Sequence, residues 1–257
     1  MQIEAFFDTA TWTLTYLVWD PDTLDAVIID PVLDFDPVSI AVSNDSTSAL
    51  IAKVRDLGVN VHLVLDTHAH ADHLSGFQHL KEELGAKIGI GKEITGVQAA
   101  FKNIFGFGDE LATDGSQWDV LLEDGKPVKA GSLTIEPFHS PGHTPACYAY
   151  KIRDALFTGD VMFMPDFGTG RCDFPGGSAE ALYDSIQRLY QLPDETRVFV
   201  GHDYQPGGRE LKYETSIGEC KRDNIQLKGH PTKEQFVEFR SARDATLKPP
   251  RLIFQSL

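Results

Sequence analysis

Apolar residues along this chain follow two rhythms, a period of two that marks strands and a period near 3.6 that marks helices. Thr13-Leu14-Thr15-Tyr16-Leu17-Val18-Trp19 largely alternates and runs into the turn Asp20-Pro21-Asp22, which predicts a strand. Ala26-Val27-Ile28-Ile29-Asp30-Pro31 is a short apolar run ended by proline and predicts a buried strand. Residues 32–47 are rich in Asp, Ser, Pro and Asn and predict an irregular loop. Ser46 or Thr47 predicts the cap of a helix that reaches Leu57 and stops at Gly58. Val61-His62-Leu63-Val64-Leu65-Asp66 predicts the next buried strand, which the chain leaves through residues 67–72. Leu74, Phe77, Leu80 and Leu84 then lie near one face of a helix closed by Gly85. Residues 86–90 predict a short strand and residues 93–105 a helix.

The second half repeats this logic without self-similarity. Leu133 to His139 predicts a strand, Ser140 to Thr144 a loop, and Ala146 to Ile152 a strand. Ala155-Leu156-Phe157-Thr158 leads into Gly159-Asp160. Ala179 to Leu192 predicts an amphipathic helix, and Arg197-Val198-Phe199-Val200 leads into Gly201-His202. Strands and helices alternate in both halves, so the class is α/β. The chain shows no low-complexity segment and no linker, so residues 1–257 read as a single domain, with 206–257 a C-terminal appendage to its core. It stops just after the strand-like run Leu252-Ile253-Phe254, which leaves room for a native tail.

Composition narrows the class. Hydrophobic residues make up 42% of the chain, ordinary for a buried core. The apolar runs fall short of the roughly 18 residues of a membrane span, so a membrane role is not expected. Met1 to Asp8 is acidic and enters a strand pattern at once, unlike a signal or transit peptide. Cys147, Cys172 and Cys220 are an odd number without C-x-x-C spacing. That points to a reducing, cytoplasmic setting. The net charge of −15 argues against a nucleic-acid partner. The last 52 residues invert the sign, with ten Lys/Arg against seven Asp/Glu. They read as a solvated helical face, or as a mildly basic wall for an anionic substrate.

The chemistry concentrates in His68-Ala69-His70-Ala71-Asp72-His73, between a strand and a helix. Residues two apart on an extended segment point the same way, so His68 and His70 can converge on one point. Asp72 and His73 can face that point from the bend into the helix. Three further segments share the grammar of a strand, then glycine, then a ligand-type residue: Gly142-His143, Gly159-Asp160 and Gly201-His202. Imidazole and carboxylate donors at strand ends suit Zn, Fe or Mn. His62, His79, His139 and His230 lack this placement and read as structural or surface residues. Cys172 and Cys147 read as buried packing thiols, not nucleophiles.

These motifs resemble the metallo-β-lactamase superfamily over nearly the whole chain, nearest to its glyoxalase II and persulfide dioxygenase branch. The pattern T-H-x-H-x-D-H appears as Thr67 to His73, and later elements appear as Gly142-His143-Thr144, Gly159-Asp160 and Gly201-His202-Asp203-Tyr204. Thr144-Pro145-Ala146-Cys147 and Gly170-Arg171-Cys172-Asp173-Phe174 look like persulfide dioxygenases and their bacterial hydrolase-like relatives. Common β-lactamases of this fold carry cysteine where Asp160 stands, and flavodiiron proteins carry glutamate where His70 stands. Glyoxalase II has a longer C-terminal helical region than the 55 residues that follow His202 here.

The resemblance implies an αββα sandwich with a metal at one edge. It implies a mononuclear Fe(II) on His68, His143 and Asp160, leaving positions for a glutathione-based persulfide and O2, with sulfite and glutathione as products. The rival is a dinuclear zinc hydrolase of glutathione thioesters, in which His70, Asp72, His73 and His202 also bind metal. Asp72 and His73 are the catalytic candidates. Arg171, whose planar fork fits a carboxylate, is the first candidate for substrate binding, followed by Tyr204 and Thr144. A homodimer is common among the enzymes it resembles.

Overall fold

A computed structural model of the chain describes residues 1–249 and residue 252. The strands β1 (Gln2–Asp8), β2 (Thr13–Trp19), β3 (Asp25–Ile29), β6 (Asn60–Leu65), β8 (Lys87–Gly91) and β9 (Val120–Leu122) form one sheet in that spatial order. Between them in sequence, β4 (Val32–Asp36), β5 (Ala41–Ser43) and β7 (Leu74–Ser75) form a small separate sheet. A second large sheet holds β10 (Val128–Ala130), β11 (Leu133–His139), β12 (Tyr148–Ile152), β13 (Ala155–Phe157), β14 (Arg197–Phe199) and β15 (Glu214–Ser216).

Strand alternation decides how these sheets pack. Tyr16, Val18, Val27, Ile29, Leu63 and Leu65 share one buried cluster with Leu133, Ile135, Tyr148, Tyr150, Phe157 and Phe199 of the second sheet. Their neighbours Leu17, Ile28, Val64 and Ile88 point to the other face. There they meet Leu50, Ile51 and Val54 of α1 (Asp45–Leu57) and Leu80 of α2 (Phe77–Leu84). On the far side, α4 (Ala179–Leu189) covers the second sheet through Leu182, Ile186 and Leu189. Helices thus flank both sheets, the αββα arrangement that the sequence resemblance implies. The chain also contains α3 (Ile94–Phe105), α5 (Ile217–Asp223) and α6 (Lys233–Asp244). Phe236 of α6 packs on Tyr183 of α4, with ring centroids 5.6 Å apart. No helix among the described residues is long and apolar enough to cross a membrane.

Several local expectations need correction. Residues 32–47 are not a loop throughout, because β4 pairs with both β5 and β7. The acidic residue that reads as a loop signal, Asp34, replaces a helix cap instead. Its carboxylate accepts the Ser46 amide at 2.8 Å and the Ser46 hydroxyl at 2.7 Å. The α1 N-cap is accordingly Asn44, without a side-chain capping bond, and neither Ser46 nor Thr47 fills that role. The following helix begins at Phe77, because Leu74 and Ser75 pair with Leu33 and Val32. The strand expected from Ala146 starts at Tyr148, and the helix expected to reach Leu192 ends at Leu189. The run Leu252-Ile253-Phe254 lies outside the described residues except for Leu252, which is buried.

Candidate metal centre

The neighbours β3 and β6 are parallel, as are β13 and β14, and their C-terminal ends open on one edge of the sandwich. Asp30 follows β3, the His68–His73 segment follows β6, Asp160 follows β13 and His202 follows β14. His143 comes from the β11–β12 connection. The strand–glycine–ligand grammar has a steric cause. Gly159 has φ +48°, and a Cβ there would lie 2.4 Å from Thr67 Oγ1. Gly142 has φ +150°, and its Cβ would lie 2.4 Å from the Leu182 backbone. A side chain at either position would push Asp160 or His143 off the edge.

The predicted ligands form two donor groups, and Asp30 and Asp66 form a third with His70. The ligand atoms of His68, His143 and Asp160 lie within 4.8 Å of one another, as do those of His70, Asp72 and His73. Asp160 Oδ2 is 3.5 Å from His143 Nε2 and 4.0 Å from His68 Nε2. His202 joins the groups, its Nε2 being 3.3 Å from both Asp72 Oδ2 and Asp160 Oδ1. All seven predicted side chains therefore converge. His68 Nε2, His70 Nδ1, His73 Nε2 and Asp160 Oδ1 are buried without a hydrogen-bond partner. Buried lone pairs without donors are costly, and a bound cation is what this donor set fits. Burial pushes His68 and His70 well down, which keeps both imidazoles neutral and able to ligate. Burial opposes the charge of Asp72, but His202 and His73 beside it outweigh that and hold its carboxyl well below the usual range.

A surrounding layer fixes which nitrogen faces inward. Asp30, 2% exposed, accepts the Thr67 amide at 2.7 Å and the Thr67 hydroxyl at 2.8 Å. The hydroxyl proton being spent there, Thr67 Oγ1 accepts His68 Nδ1–H at 3.0 Å, which leaves His68 Nε2 free. Asp30 Oδ1 also accepts His70 Nε2–H at 3.2 Å, which leaves Nδ1 free. His143 Nδ1–H donates to the Arg171 carbonyl at 2.8 Å, which leaves its Nε2 free. Sequence reading missed Asp30, though its signal was present in an acidic residue closing a buried apolar strand. Outer partners of this kind are typically worth about 10- to 100-fold in metal affinity. Asp30→Asn is expected to lose that much in a competition titration against a chelator. Unchanged affinity would remove Asp30 from this role.

The 169–172 segment supports the centre from behind. A Cβ on Gly170 would sit 2.0 Å from the Asp160 carbonyl oxygen, so this loop presses directly on the backbone of a candidate ligand. It is held by α6. Asp244 accepts the Cys172 amide at 2.8 Å, and Arg240 donates to Asp244 at 2.5 Å and to the Thr169 carbonyl at 3.3 Å. Arg240 is 2% exposed and Asp244 5%. Nothing in the sequence pattern marks this pair, which sits on a helix that otherwise reads as solvated.

The remaining candidates have these placements. Arg171 spends its fork on Asp173, with two 2.6 Å bonds, and gives Nη1 to the Lys248 carbonyl at 2.7 Å. Tyr204, 37% exposed, stacks on His202 at 5.5 Å, and desolvation of its phenol, followed by the nearby Asp160 and Asp72 charges, pushes its pKa upward. The Thr144 hydroxyl turns to Cys147 Sγ at 3.2 Å and to the Ala146 amide at 3.3 Å, bracing its own loop. Cys147 and Cys172 are buried, burial pushing the Cys147 thiol up to about 12 and the Cys172 thiol also upward. Both are packing residues. His62 pairs with Asp25, His79 with Thr47 and His139 with the Pro145 carbonyl, while His230 is exposed in a loop.

Comparison with known proteins points the same way. A family model described as metallo-beta-lactamase superfamily matches residues 12–202. A beta-lactamase hydrolase-like protein of Agrobacterium fabrum is 49% identical over 99% of this chain, which spans only 59% of that protein's length. Glyoxylase B2 of Dictyostelium discoideum is 40% identical over 100% of this chain and 88% of its own. The mitochondrial persulfide dioxygenase ETHE1 of Homo sapiens is 30% identical over 79% of this chain and 68% of its own. The crystal structure of ETHE1 from Myxococcus xanthus superposes with a TM-score of 0.81 at 32% identity, covering 100% of this chain and 96% of that one.

Proposed function

The chain belongs to the metallo-beta-lactamase superfamily, and from that premise we propose that it is a persulfide dioxygenase using one Fe(II) on His68, His143 and Asp160. The reaction takes glutathione persulfide, O2 and water to glutathione, sulfite and two protons. The observation that carries this reading is the inequivalence of the two donor groups. The first is buried throughout, and its imidazole Nε2 atoms are turned inward by fixed outer bonds. In the second, Asp72 is partly exposed and its Oδ2 already lies 3.3 Å from His202 Nε2 and 3.4 Å from His73 Nδ1. The likeness to ETHE1 adds support.

Iron, when bound, supplies the oxygen activation and the seat for sulfur. The side chains do the rest. Asp72 and His73 form an acceptor–donor pair within 3.4 Å, suited to moving a proton of the water that releases sulfite. Tyr204 offers a neutral phenol donor beside Asp160. Arg171 takes a carboxylate of glutathione by exchanging Asp173, which already shows the bidentate geometry such a group would adopt. Arg171→Lys is expected to raise KM for glutathione persulfide about tenfold, the scale of a charge-assisted hydrogen bond. An unchanged KM would leave the arginine a structural role only.

A second reading, a dinuclear zinc hydrolase of glutathione thioesters, has its own observation. His70 Nδ1 and His73 Nε2 are buried and unpartnered, as ligands of a second ion would be, and glyoxylase B2 is among the relatives. Metal analysis with paired assays separates the two. The dioxygenase requires one iron per chain and oxygen uptake with glutathione persulfide, and His70→Ala keeps the iron. Two zinc ions per chain, thioester cleavage without oxygen uptake and loss of one zinc in His70→Ala would establish the hydrolase instead.

A further inference from the structure

Beside the donor cluster, on its α3 side, lies a cavity of about 270 Å³. His68, His70 and His73 form one wall. Ile90, Ile94, Val97, Phe101 and Trp118 form much of the rest. Away from the histidines, its two glutamines and Asp66 are already engaged. Gln98 donates to Gln117 at 2.8 Å and accepts the Gly115 amide at 3.1 Å, Gln117 donates to the Ala112 carbonyl at 2.9 Å, and Asp66 accepts the Ser75 hydroxyl at 2.9 Å. Among the described residues that line it there is no Lys or Arg. Glutathione, with two carboxylates, would be uncompensated here, and its charge partner Arg171 does not line this cavity. One donor is unmet: Trp118 Nε1 is buried without a hydrogen-bond partner.

We propose that this cavity is a second substrate pocket, which receives the uncharged, apolar arm of a low-molecular-weight thiol or persulfide whose sulfur sits at the donor cluster. The seating of sulfur at the cluster rests on the function proposed above. The pocket itself follows from its lining and its continuity with the three histidines. An alkyl or aryl arm is the occupant favoured by the walls, since apolar surface is what they can bury. A single carbonyl or hydroxyl oxygen on that arm would meet Trp118 Nε1–H. The enzyme therefore has a second substrate class, organic persulfides without a peptide-like carrier, alongside glutathione persulfide. The same oxidation applies: the persulfide, O2 and water give the thiol, sulfite and two protons.

The test is anaerobic titration calorimetry of the iron-loaded protein with straight-chain alkanethiols from ethanethiol to octanethiol. Kd is expected to fall about three- to fourfold per methylene until the cavity is full, the increment for burying one CH2. Val97→Phe places a ring in the cavity and is expected to flatten the series. Phe101→Trp does the same from a partly exposed position and serves if Val97→Phe does not fold. A flat series in the unmodified protein, or an unchanged slope in the filled variant, would overturn the pocket. Oxygen uptake with glutathione persulfide is measured in parallel. A chain-length slope without oxygen uptake keeps the pocket and rejects the dioxygenase, while uptake with a flat series does the reverse.

Discussion

Asp160→Ala is expected to abolish stoichiometric metal binding while the chain stays folded. Asp160 is the carboxylate shared between the donor groups, 3.5 Å from His143, 4.0 Å from His68 and 3.3 Å from His202. It is 8% exposed, and it supplies the only carboxylate of the buried group it forms with His68 and His143. Removing it leaves a divalent cation facing imidazoles alone in a poorly solvated site. The affinity loss should exceed the roughly 10- to 100-fold that outer partners such as Asp30 are worth. The backbone at 159–160 is shaped by Gly159 and by the press of Gly170, not by the carboxylate, so alanine fits there. Metal per chain after dialysis, with circular dichroism as the fold control, reads the outcome. A folded variant that keeps one metal per chain would show that Asp160 is not a ligand.

Arg240→Ala is expected to cost about 3–5 kcal/mol of stability, the scale of stripping one partner from a buried ion pair. The alanine variant leaves the Asp244 carboxylate, 5% exposed, without its counter-charge. It also removes the donor to the Thr169 carbonyl and to Gln226. Urea unfolding measures the loss. The double variant Arg240→Met with Asp244→Leu removes both charges and should recover much of it. Metal affinity separates a local from a global role. Asp244 anchors the Cys172 amide, and the neighbouring Arg171 carbonyl orients His143, so the double variant should regain stability but bind metal more weakly than the unmodified chain. A stability cost below about 1 kcal/mol would mean the pair is solvated in practice.

These two residues differ in how visible they were. Asp160 stands after a strand and a glycine, a local pattern with a local cause, because the turn that aims it requires positive φ. His68 and His70 were visible because spacing by two on an extended segment puts side chains on one side. Asp30 was half visible: its place at the end of a buried strand was legible, its bonds to Thr67 and His70 were not, since those partners lie 37 and 40 residues away. Asp34 was misread, because a carboxylate that caps a helix twelve residues on looks in sequence like a loop residue. Arg240 and Asp244 were invisible. A charge on an amphipathic helix is normally solvated, and only the packing of α6 against the 169–172 loop buries it.

The sequence by itself determined the α/β class, the strand–helix alternation and the seven ligand-type side chains, because each depends on periodicity or on a turn within a few residues. Only the tertiary structure decided which nitrogen of His68, His70 and His143 faces the centre, what occupies the Arg171 fork, and that an apolar cavity adjoins the cluster. Those features are made where two sheets and distant segments meet. A proton on His68 is fixed through Thr67 by Asp30, and a carbonyl on His143 by a loop that α6 holds in place. Such contacts carry no periodic signature, since their partners are brought together by the packing of the sandwich and not by their spacing along the chain.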